Sequence, residues 1–281
     1  MAILLDGNAM AAELMAGLKQ RVTALKCRGI SVGLAVILVG DDPASQIYVR
    51  SKSKACEKLG IQSETFQLPE RTSQTELEAL IQSLNQDKHI DGILVQLPLP
   101  DHLDEAAALR KISPKKDVDG FHIENAGKLF TGQEGVTACT PKGILYMLKA
   151  AGIPLEGKEA VVIGRSNIVG KPTAMLLMKE NCTVTICHSH TVDLAAHTCR
   201  ADILVTAVGK AGFVTADMVK PGAAVIDVGI NRIENKVVGD VDFDAVEQVA
   251  GYISPVPGGV GKMTISMLME NTVEAAERKA R

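Results

Sequence analysis

Residues Ala160 to Leu177 read AVVIGRSNIVGKPTAMLL and contain a clear indication of the fold. The stretch opens with apolar residues typical of a buried strand and then reaches a turn at Gly164. We expect a helix to begin near Gly170. A strand, a glycine turn and a helix open a Rossmann-type domain, in which the pyrophosphate of a dinucleotide lies on the helix N-terminus. The stretch therefore predicts a dinucleotide-binding domain.

The glycines alone are a weak argument, because only Gly164 and Gly170 occupy positions of the G-x-G-x-x-G motif. The residues around them say more. Arg165 and Ser166 follow the first glycine, and Ser189 follows the next predicted strand, where an NAD-specific site usually carries Asp or Glu. A guanidinium and two hydroxyls favour a 2′-phosphate through charge-assisted hydrogen bonds. The pattern predicts NADP as cofactor; the alternative is a turn whose arginine only faces solvent.

Strands and helices alternate on both sides of this stretch. Met10, Leu14, Leu18, Val22 and Leu25 recur at helical spacing, and GLAVILVG, residues 33–40, is a continuous apolar strand of the kind found in parallel sheets covered on both faces. A helix is expected over residues 44–59. Further strands are predicted near residues 61–68, 91–96, 160–163, 183–187, 202–206 and 224–228. The fold class is α/β, with two α/β domains.

Composition excludes several classes of function. The 281 residues are 46% hydrophobic and 22% charged, with a net charge of −3, which is ordinary for a globular enzyme and gives no basic surface for nucleic acid or an anionic membrane. No apolar run approaches the roughly 20 residues that span a bilayer, and the N-terminus lacks the features of a signal peptide. The six cysteines form no C-x-x-C pair. We expect a cytoplasmic protein with reduced thiols.

Two sequence patterns are similar to motifs for phosphate or metal binding, but neither motif is complete. GGVGKMT, residues 258–264, is similar to a P-loop, but Val256 stands where that motif needs its first glycine and Met263 where it needs Ser or Thr. His188, His190 and Asp193 cluster after one strand without a second carboxylate group. We interpret these three as loop residues and predict no metal site.

The first half of the chain carries the stronger candidates for catalysis. Tyr48 and Lys52 lie one helical turn apart, hence on one face of the predicted helix. Gln96 ends a predicted parallel strand, where ligands of open α/β sheets bind. Asp119 lies in the irregular segment 111–140, whose length indicates a functional loop or a domain boundary, and Thr140 is predicted to cap the next helix. The alternative is an exposed lysine beside a packed tyrosine.

Eight motifs, in order along nearly the whole chain, carry a resemblance to a known family. They are YVRSKSKAC, GILVQLPLP, KDVDGFHIENAGKL, CTPKG, VVIGRSNIVGKP, TVTICHSHT, DVGIN and PVPGGVG-MT. The chain resembles the bifunctional methylenetetrahydrofolate dehydrogenase/methenyltetrahydrofolate cyclohydrolase family. The resemblance implies a homodimer that uses NADP and tetrahydrofolate derivatives, with the active-site cleft between two domains. It also implies that residues 1–140 and a C-terminal helix, 262–281, form the folate domain, and that residues 141–261 form the NADP domain.

The resemblance also implies roles for single residues. Lys52 matches the catalytic lysine, Tyr48 the tyrosine that stacks on the folate, Gln96 the glutamine that bonds the lysine, and Asp119 the carboxylate that binds the pterin. The expected cofactor residues are Gly164 at the turn; Arg165, Ser166 and Ser189 at the 2′-phosphate; and Thr140, Gly229 and Ile230 around the nicotinamide.

The sequence departs from the family pattern at Lys262 and Ala138, where the family usually has proline. Two other hypotheses stay open at this point. One is a two-domain reductase similar to shikimate dehydrogenase, in which Lys52 and Asp119 would transfer a proton. The other is a non-catalytic module that senses NADP.

Overall fold

The structure is a computed structural model that describes residues 1–234 and 236–280. The chain divides into two compact units. Unit 1 consists of Met1–Ala12 and Thr140–Thr264, and unit 2 consists of Glu13–Cys139 and the residues from Ile265 onward. The helices Gly7–Cys27 and Val260–Lys279 each contribute residues to both units.

The elements follow the alternation that the sequence predicts. In chain order they are β1 (Ile3–Leu4), α1 (Gly7–Cys27), β2 (Gly33–Val39), α2 (Pro43–Leu59), β3 (Gln62–Leu68), α3 (Gln74–Gln86), β4 (Gly92–Val95), α4 (Glu105–Lys111), α5 (Ile123–Phe130), α6 (Cys139–Ala150), β5 (Glu159–Ile163), α7 (Gly170–Lys179), β6 (Thr183–Cys187), α8 (Leu194–Thr198), β7 (Ile203–Thr206), a 3-10 helix (Ala216–Met218), β8 (Ala224–Asp227), β9 (Asn231–Ile233), β10 (Lys236–Val238), α9 (Phe243–Val246), β11 (Tyr252–Ile253) and α10 (Val260–Lys279).

Unit 2 is built on a parallel sheet with the strand order β3-β2-β4. Every residue of the central strand β2 is buried, as its continuous apolar sequence predicts. The helix after it, α2, begins where the Asp42 side chain accepts a hydrogen bond from Ser45 N, with Pro43 in its first turn, and it ends at Gly60 in the left-handed conformation. These end signals fix the register of the helix that carries Tyr48 and Lys52.

Unit 1 holds a parallel sheet with the order β1-β11-β8-β7-β5-β6 in the described part of the chain. Ile163 of β5 pairs with Cys187 of β6 and with Thr206 of β7, and Thr206 pairs with Asp227 of β8. The carboxyl ends of these strands therefore lie side by side along one edge. The loops that follow them form the edge where open α/β sheets bind their ligands.

The predicted α/β fold is confirmed, and the structure adds elements that the sequence did not reveal. A short helix, α5, lies in the segment that sequence analysis left irregular, and β9 and β10 pair in antiparallel orientation. Helix α6 begins at Cys139, so Thr140 lies inside the helix and not at the predicted cap. The predicted strands of both domains and the terminal helix are present.

The compact units differ from the predicted domain division at the N-terminus. The prediction placed all of residues 1–140 in one domain, whereas Ile3 and Leu4 pair with Tyr252 and Ile253 in the sheet of unit 1. A two-residue strand carries no periodic pattern, so the sequence gives no indication of this long-range pairing.

None of the helices within residues 1–234 and 236–280 combines the length and the apolar character that a membrane span requires.

Candidate active site

Lys52 and Gln96 are in direct contact in unit 2. The ammonium of Lys52, on α2, donates a hydrogen bond to Gln96 Oε1 at 3.0 Å. Gln96 is 9% exposed and follows β4, where its backbone N–H donates to Ile37 O at 2.8 Å and its side-chain Nε2 donates to Leu97 O at 2.7 Å. Because the amide nitrogen is bound to a carbonyl, the amide oxygen faces the lysine. A neutral group thus holds the amine in place.

Asp119 lies within electrostatic reach of this amine. Its carboxyl is half-buried, and burial raises its pKa from 3.8 to about 6, against the opposing effect of the positive charge of Lys52. The negative charge of Asp117 adds to the rise. Asp119 therefore changes its charge at a pH of about 6. We call Lys52, Gln96 and Asp119 the lysine site.

The loop that presents Asp119 is held by its neighbour Asp117. This buried carboxylate accepts hydrogen bonds from Phe121 N at 3.1 Å, His122 N at 2.8 Å and Asn125 Nδ2 at 2.8 Å. Sequence reasoning missed this structural role. The D-x-D-G sequence contained the indication, since such carboxylates commonly bond the backbone of their own turn. Of the two aspartates, one shapes the loop and the other stays available.

Gly120 completes this turn for a steric reason. Its φ is +75°, and a Cβ there would lie 2.5 Å from Ala138 N. Ala138, one of the two departures from the family pattern, is 2% exposed and packs against this turn. The segment before α6 therefore sits close against the loop that carries Asp119.

Tyr48 lies on α2, one turn before Lys52, and is 40% exposed. The structure thus brings Lys52, Gln96 and Asp119 together, and it places the Tyr48 side chain on the same helix with its surface open to solvent. A half-exposed phenol beside an amine presents a flat apolar face on which a planar ring can stack.

In unit 1, the turn after β5 has the close packing that a dinucleotide site needs. Gly164 has a φ of +128°, and a Cβ there would lie 2.5 Å from Ala207 O. A Cβ on Gly170 would lie 2.2 Å from Gly164 O. Helix α7 therefore begins directly against the turn, and only glycines at these two positions allow that close approach of backbone to backbone. These residues fit a dinucleotide cofactor.

The side chains predicted to bind the 2′-phosphate lie at two neighbouring strand ends. Arg165 and Ser166 follow β5, Ser189 follows β6, and all three are exposed. Ser166 Oγ accepts hydrogen bonds from Val169 N at 3.1 Å and Gly170 N at 3.2 Å, so its own proton is free to be donated to an anion.

The histidines beside Ser189 organise their own turn. His188 N donates to Thr191 Oγ1 at 2.8 Å, and His190 N donates to His188 Nδ1 at 3.2 Å. Among the residues that the structure describes, no three His, Cys, Asp or Glu side chains are grouped to hold a metal ion. The histidines thus have a local role in the loop.

The three residues expected around the nicotinamide also belong to unit 1. The Thr140 and Thr264 hydroxyls are hydrogen-bonded at 2.9 Å. Gly229 N donates to Asp227 Oδ1 at 2.9 Å, and the next residue, Ile230, is 50% exposed just beyond the carboxyl end of β8.

Lys262, the second departure, lies in the first turn of α10, where its backbone N–H donates to Gly259 O at 3.1 Å. A proline there would lack this donor.

Sequence reasoning missed Asp227 and Asp240, two buried carboxylates behind the loops of this edge.

Both halves of the chain match models of one family. Residues 5–119 match the tetrahydrofolate dehydrogenase/cyclohydrolase catalytic domain, and residues 138–280 match the NAD(P)-binding domain of the same family. The chain belongs to the tetrahydrofolate dehydrogenase/cyclohydrolase family. The lysine site lies within or at the end of the first match, and the glycine turn lies within the second.

Individual members of this family agree over almost the full length. The chain is 60% identical to the bifunctional protein FolD of Delftia acidovorans, over 99% of this chain and 98% of the relative. A crystal structure of the bifunctional enzyme FolD from Campylobacter jejuni matches with a TM-score of 0.98 and 53% identity, covering 99% of this chain and all of that one.

A Trypanosoma brucei methylenetetrahydrofolate dehydrogenase-cyclohydrolase, solved with NADP cofactor and inhibitor, matches with a TM-score of 0.95 and 40% identity, covering 100% of this chain and 99% of that one. Membership of the family decides against the shikimate dehydrogenase hypothesis.

Proposed function

We infer that the chain is a bifunctional enzyme of one-carbon folate metabolism. It oxidises 5,10-methylenetetrahydrofolate to 5,10-methenyltetrahydrofolate with NADP and hydrolyses the product to 10-formyltetrahydrofolate, a one-carbon donor for purine biosynthesis. The observation that carries this inference is the Lys52 amine, held by the neutral amide of Gln96 at 3.0 Å beside a carboxyl whose pKa is about 6.

The oxidation needs orientation more than acid–base chemistry. In the substrate the reacting carbon lies between two nitrogens, so loss of a hydride leaves a resonance-stabilised cation. NADP, when bound, supplies the hydride acceptor. The chain's contribution is to bind and orient the two reactants, which is enough for a large rate enhancement. The described residues of the glycine turn accordingly offer hydrogen-bond donors and a backbone cradle.

We assign NADP binding to unit 1 residue by residue. Gly164 lets the backbone approach the pyrophosphate, and the guanidinium of Arg165 with the hydroxyls of Ser166 and Ser189 binds the 2′-phosphate. A further set is assigned to the nicotinamide, namely Thr140, Gly229 and Ile230.

The hydrolysis needs a group that handles a proton. Water adds through its oxygen to the methenyl carbon, and one of its protons passes to the amine of Lys52. The bond from that carbon to N5 then breaks, N5 takes a proton, and one proton is released overall. A cationic substrate favours the neutral, proton-accepting form of a neighbouring amine. Gln96 fixes the lysine without adding to the negative charge that the nearby Asp119 already supplies.

Two side chains are assigned to the binding of the folate itself. An ionised Asp119 can accept two N–H bonds from the aminopyrimidine ring of the pterin. The exposed face of Tyr48, one helical turn from Lys52, provides a surface for stacking. Folate binding thus belongs to unit 2.

We further propose that the enzyme is a homodimer and works in the cytoplasm. Its six cysteines are free thiols, which is in keeping with a reducing compartment. Sedimentation of the purified protein tests the dimer directly.

A side-by-side assay tests the proposed function. The protein is incubated with NADP or NAD and either 5,10-methylenetetrahydrofolate or shikimate, and reduced cofactor is followed by its absorbance. We expect turnover with the folate, preferentially with NADP, and none with shikimate. NADP binding without turnover of the folate would instead support the sensor hypothesis and contradict the enzyme.

A further inference from the structure

The carboxylate of Asp240 binds several backbone N–H groups of the loop after β7. The side chain is 0% exposed, and its Oδ2 accepts hydrogen bonds from Val208 N at 2.7 Å and Gly209 N at 3.0 Å. Its Oδ1 accepts from Lys210 N at 2.9 Å and from Asn231 Nδ2 at 2.9 Å. One carboxylate thus satisfies three consecutive backbone donors after β7 and one side chain after β8.

Asp227 holds Asp240 in position. Its carboxylate accepts hydrogen bonds from Asp240 N at 2.9 Å, Val241 N at 3.0 Å and Gly229 N at 2.9 Å. Burial raises the pKa of Asp227 to about 6, and the charge of Asp240 adds to the rise. Two carboxylates are therefore kept close together in the interior of unit 1, where the N–H groups that they bind offset their mutual repulsion.

The carboxylate also fits directly against Gly229. A Cβ on Gly229 would lie 2.2 Å from Asp240 Oδ1, so the glycine leaves the space that the carboxylate fills. The next residue, Ile230, is half-exposed at the strand edge. The position of Ile230 therefore depends on a side chain ten residues further along the chain.

The order of the strands tells which part of the cofactor these loops meet. Along the edge the order is β8-β7-β5-β6, with the glycine turn after β5 and Ser189 after β6. A dinucleotide whose 2′-phosphate lies at β6 and whose pyrophosphate lies at β5 must extend its other end toward β7 and β8. The loops joined by Asp240 lie at those two strands.

We propose that Asp240 is a positioning residue for the dehydrogenase reaction: it sets the loops after β7 and β8 in the arrangement that receives the nicotinamide end of NADP. The proposal rests on the proposed function. Asp240 itself touches neither substrate nor cofactor, since its oxygens are occupied by protein donors.

The test is the variant Asp240→Asn, which keeps the shape and replaces one acceptor oxygen by a donor. The new amide N–H group would face N–H groups of the loops and leave them without a partner. We expect kcat for NADP-dependent oxidation of 5,10-methylenetetrahydrofolate to fall by about tenfold or more. Hydrolysis of 5,10-methenyltetrahydrofolate, assayed without NADP, should keep the wild-type rate.

A second measurement separates positioning from loss of structure. Adenosine 2′,5′-bisphosphate should need only the loops after β5 and β6, so its Kd for Asp240→Asn should stay within about twofold of the wild type. If the bisphosphate no longer binds, unit 1 is disrupted and the positioning role is contradicted. Unchanged dehydrogenase kcat would overturn the proposal as well.

Two further variants complete the design. Asp242→Asn makes the same charge change at an exposed residue and should leave both activities unchanged. Asn231→Ala removes one of the four donors to Asp240 and should lower dehydrogenase kcat less than Asp240→Asn does. If Asp240→Asn does not fold, Asn231→Ala is tested in its place. An unchanged dehydrogenase kcat in Asn231→Ala would then overturn the proposal. A wild-type protein without any NADP reduction would instead contradict the proposed function.

Discussion

The lysine site of unit 2 and the glycine turn of unit 1 solve different physical problems. At the lysine site, a half-buried amine, a neutral amide and a carboxyl with a pKa of about 6 are coupled electrostatically. At the glycine turn, Arg165, Ser166 and Ser189 are exposed, and the important constraints are steric, since a Cβ on Gly164 or Gly170 would collide with backbone oxygens.

This difference matches the two reactions. Hydrolysis moves protons, and it calls for groups whose charge is set by burial and by neighbours. Hydride transfer moves no proton to the protein, and it calls for a cradle of fixed shape. The comparison predicts that the two activities respond to different substitutions.

The largest effect is expected for Lys52→Met, which removes the amine and keeps the length of the side chain. The rate of methenyltetrahydrofolate hydrolysis should fall by about 10²- to 10⁴-fold, the usual contribution of acid–base catalysis. The control is Lys54→Met, an exposed lysine on the same helix, which should hydrolyse at the wild-type rate. An undiminished rate for Lys52→Met would show that the lysine amine takes no part in the hydrolysis.

A smaller effect is expected at the turn of unit 1. Arg165→Ala should raise the KM for NADP by about 10- to 100-fold, because a charge-assisted bond to the phosphate is lost, and should change the KM for NAD little. Arg200→Ala is the matched control, since Arg200 is exposed and lies just before β7, at the amino ends of the strands. Equal changes for both cofactors would show that Arg165 does not recognise the phosphate.

A pH profile sharpens the contrast further. Because the pKa of Asp119 is about 6, the ionised fraction falls about tenfold between pH 7 and pH 5, and the KM for the folate should rise by about that factor. The KM for NADP should not follow it. In Asp119→Asn the folate KM should be high and should lose this dependence; a wild-type profile in that variant would rule out Asp119.

The same carboxyl affects stability in a subtler way. Its pKa is 3.8 in the unfolded chain and about 6 in the fold, so the folded state binds the proton more tightly between those values. The free energy of unfolding should therefore decrease as pH rises from about 4 to about 6, relative to Asp119→Asn. Urea titrations at both pH values measure this difference, and parallel behaviour of the two proteins would contradict it.

The sequence predicted the elements with strong local patterns and missed those defined by distant contacts. The apolar run of β2 and the caps of α2 are legible because burial and capping act on neighbouring residues. The pairing of Ile3 with Tyr252 cannot be predicted from the sequence, because neither short segment has a hydrophobic periodicity of its own.

The candidate site divides in the same way. The family motifs predict Lys52 and Gln96 as a pair, and in the structure Lys52 Nζ lies 3.0 Å from Gln96 Oε1. Asp240 was not predicted, since its backbone partners lie about 30 residues earlier in the chain and no motif connects them. A buried carboxylate of this kind can be recognised only when its donors are in place.

We expect hydride transfer and hydrolysis to rely on separate groups, and a single product analysis can distinguish the two. Lys52→Met is mixed with 5,10-methylenetetrahydrofolate and NADP, and NADPH, the methenyl form and the 10-formyl form are quantified together. We predict that NADPH is formed with an equal amount of the methenyl form, and that 10-formyltetrahydrofolate is no more abundant than without enzyme. Formation of 10-formyltetrahydrofolate at the wild-type rate would contradict this expectation. So would a variant that forms neither NADPH nor 10-formyltetrahydrofolate.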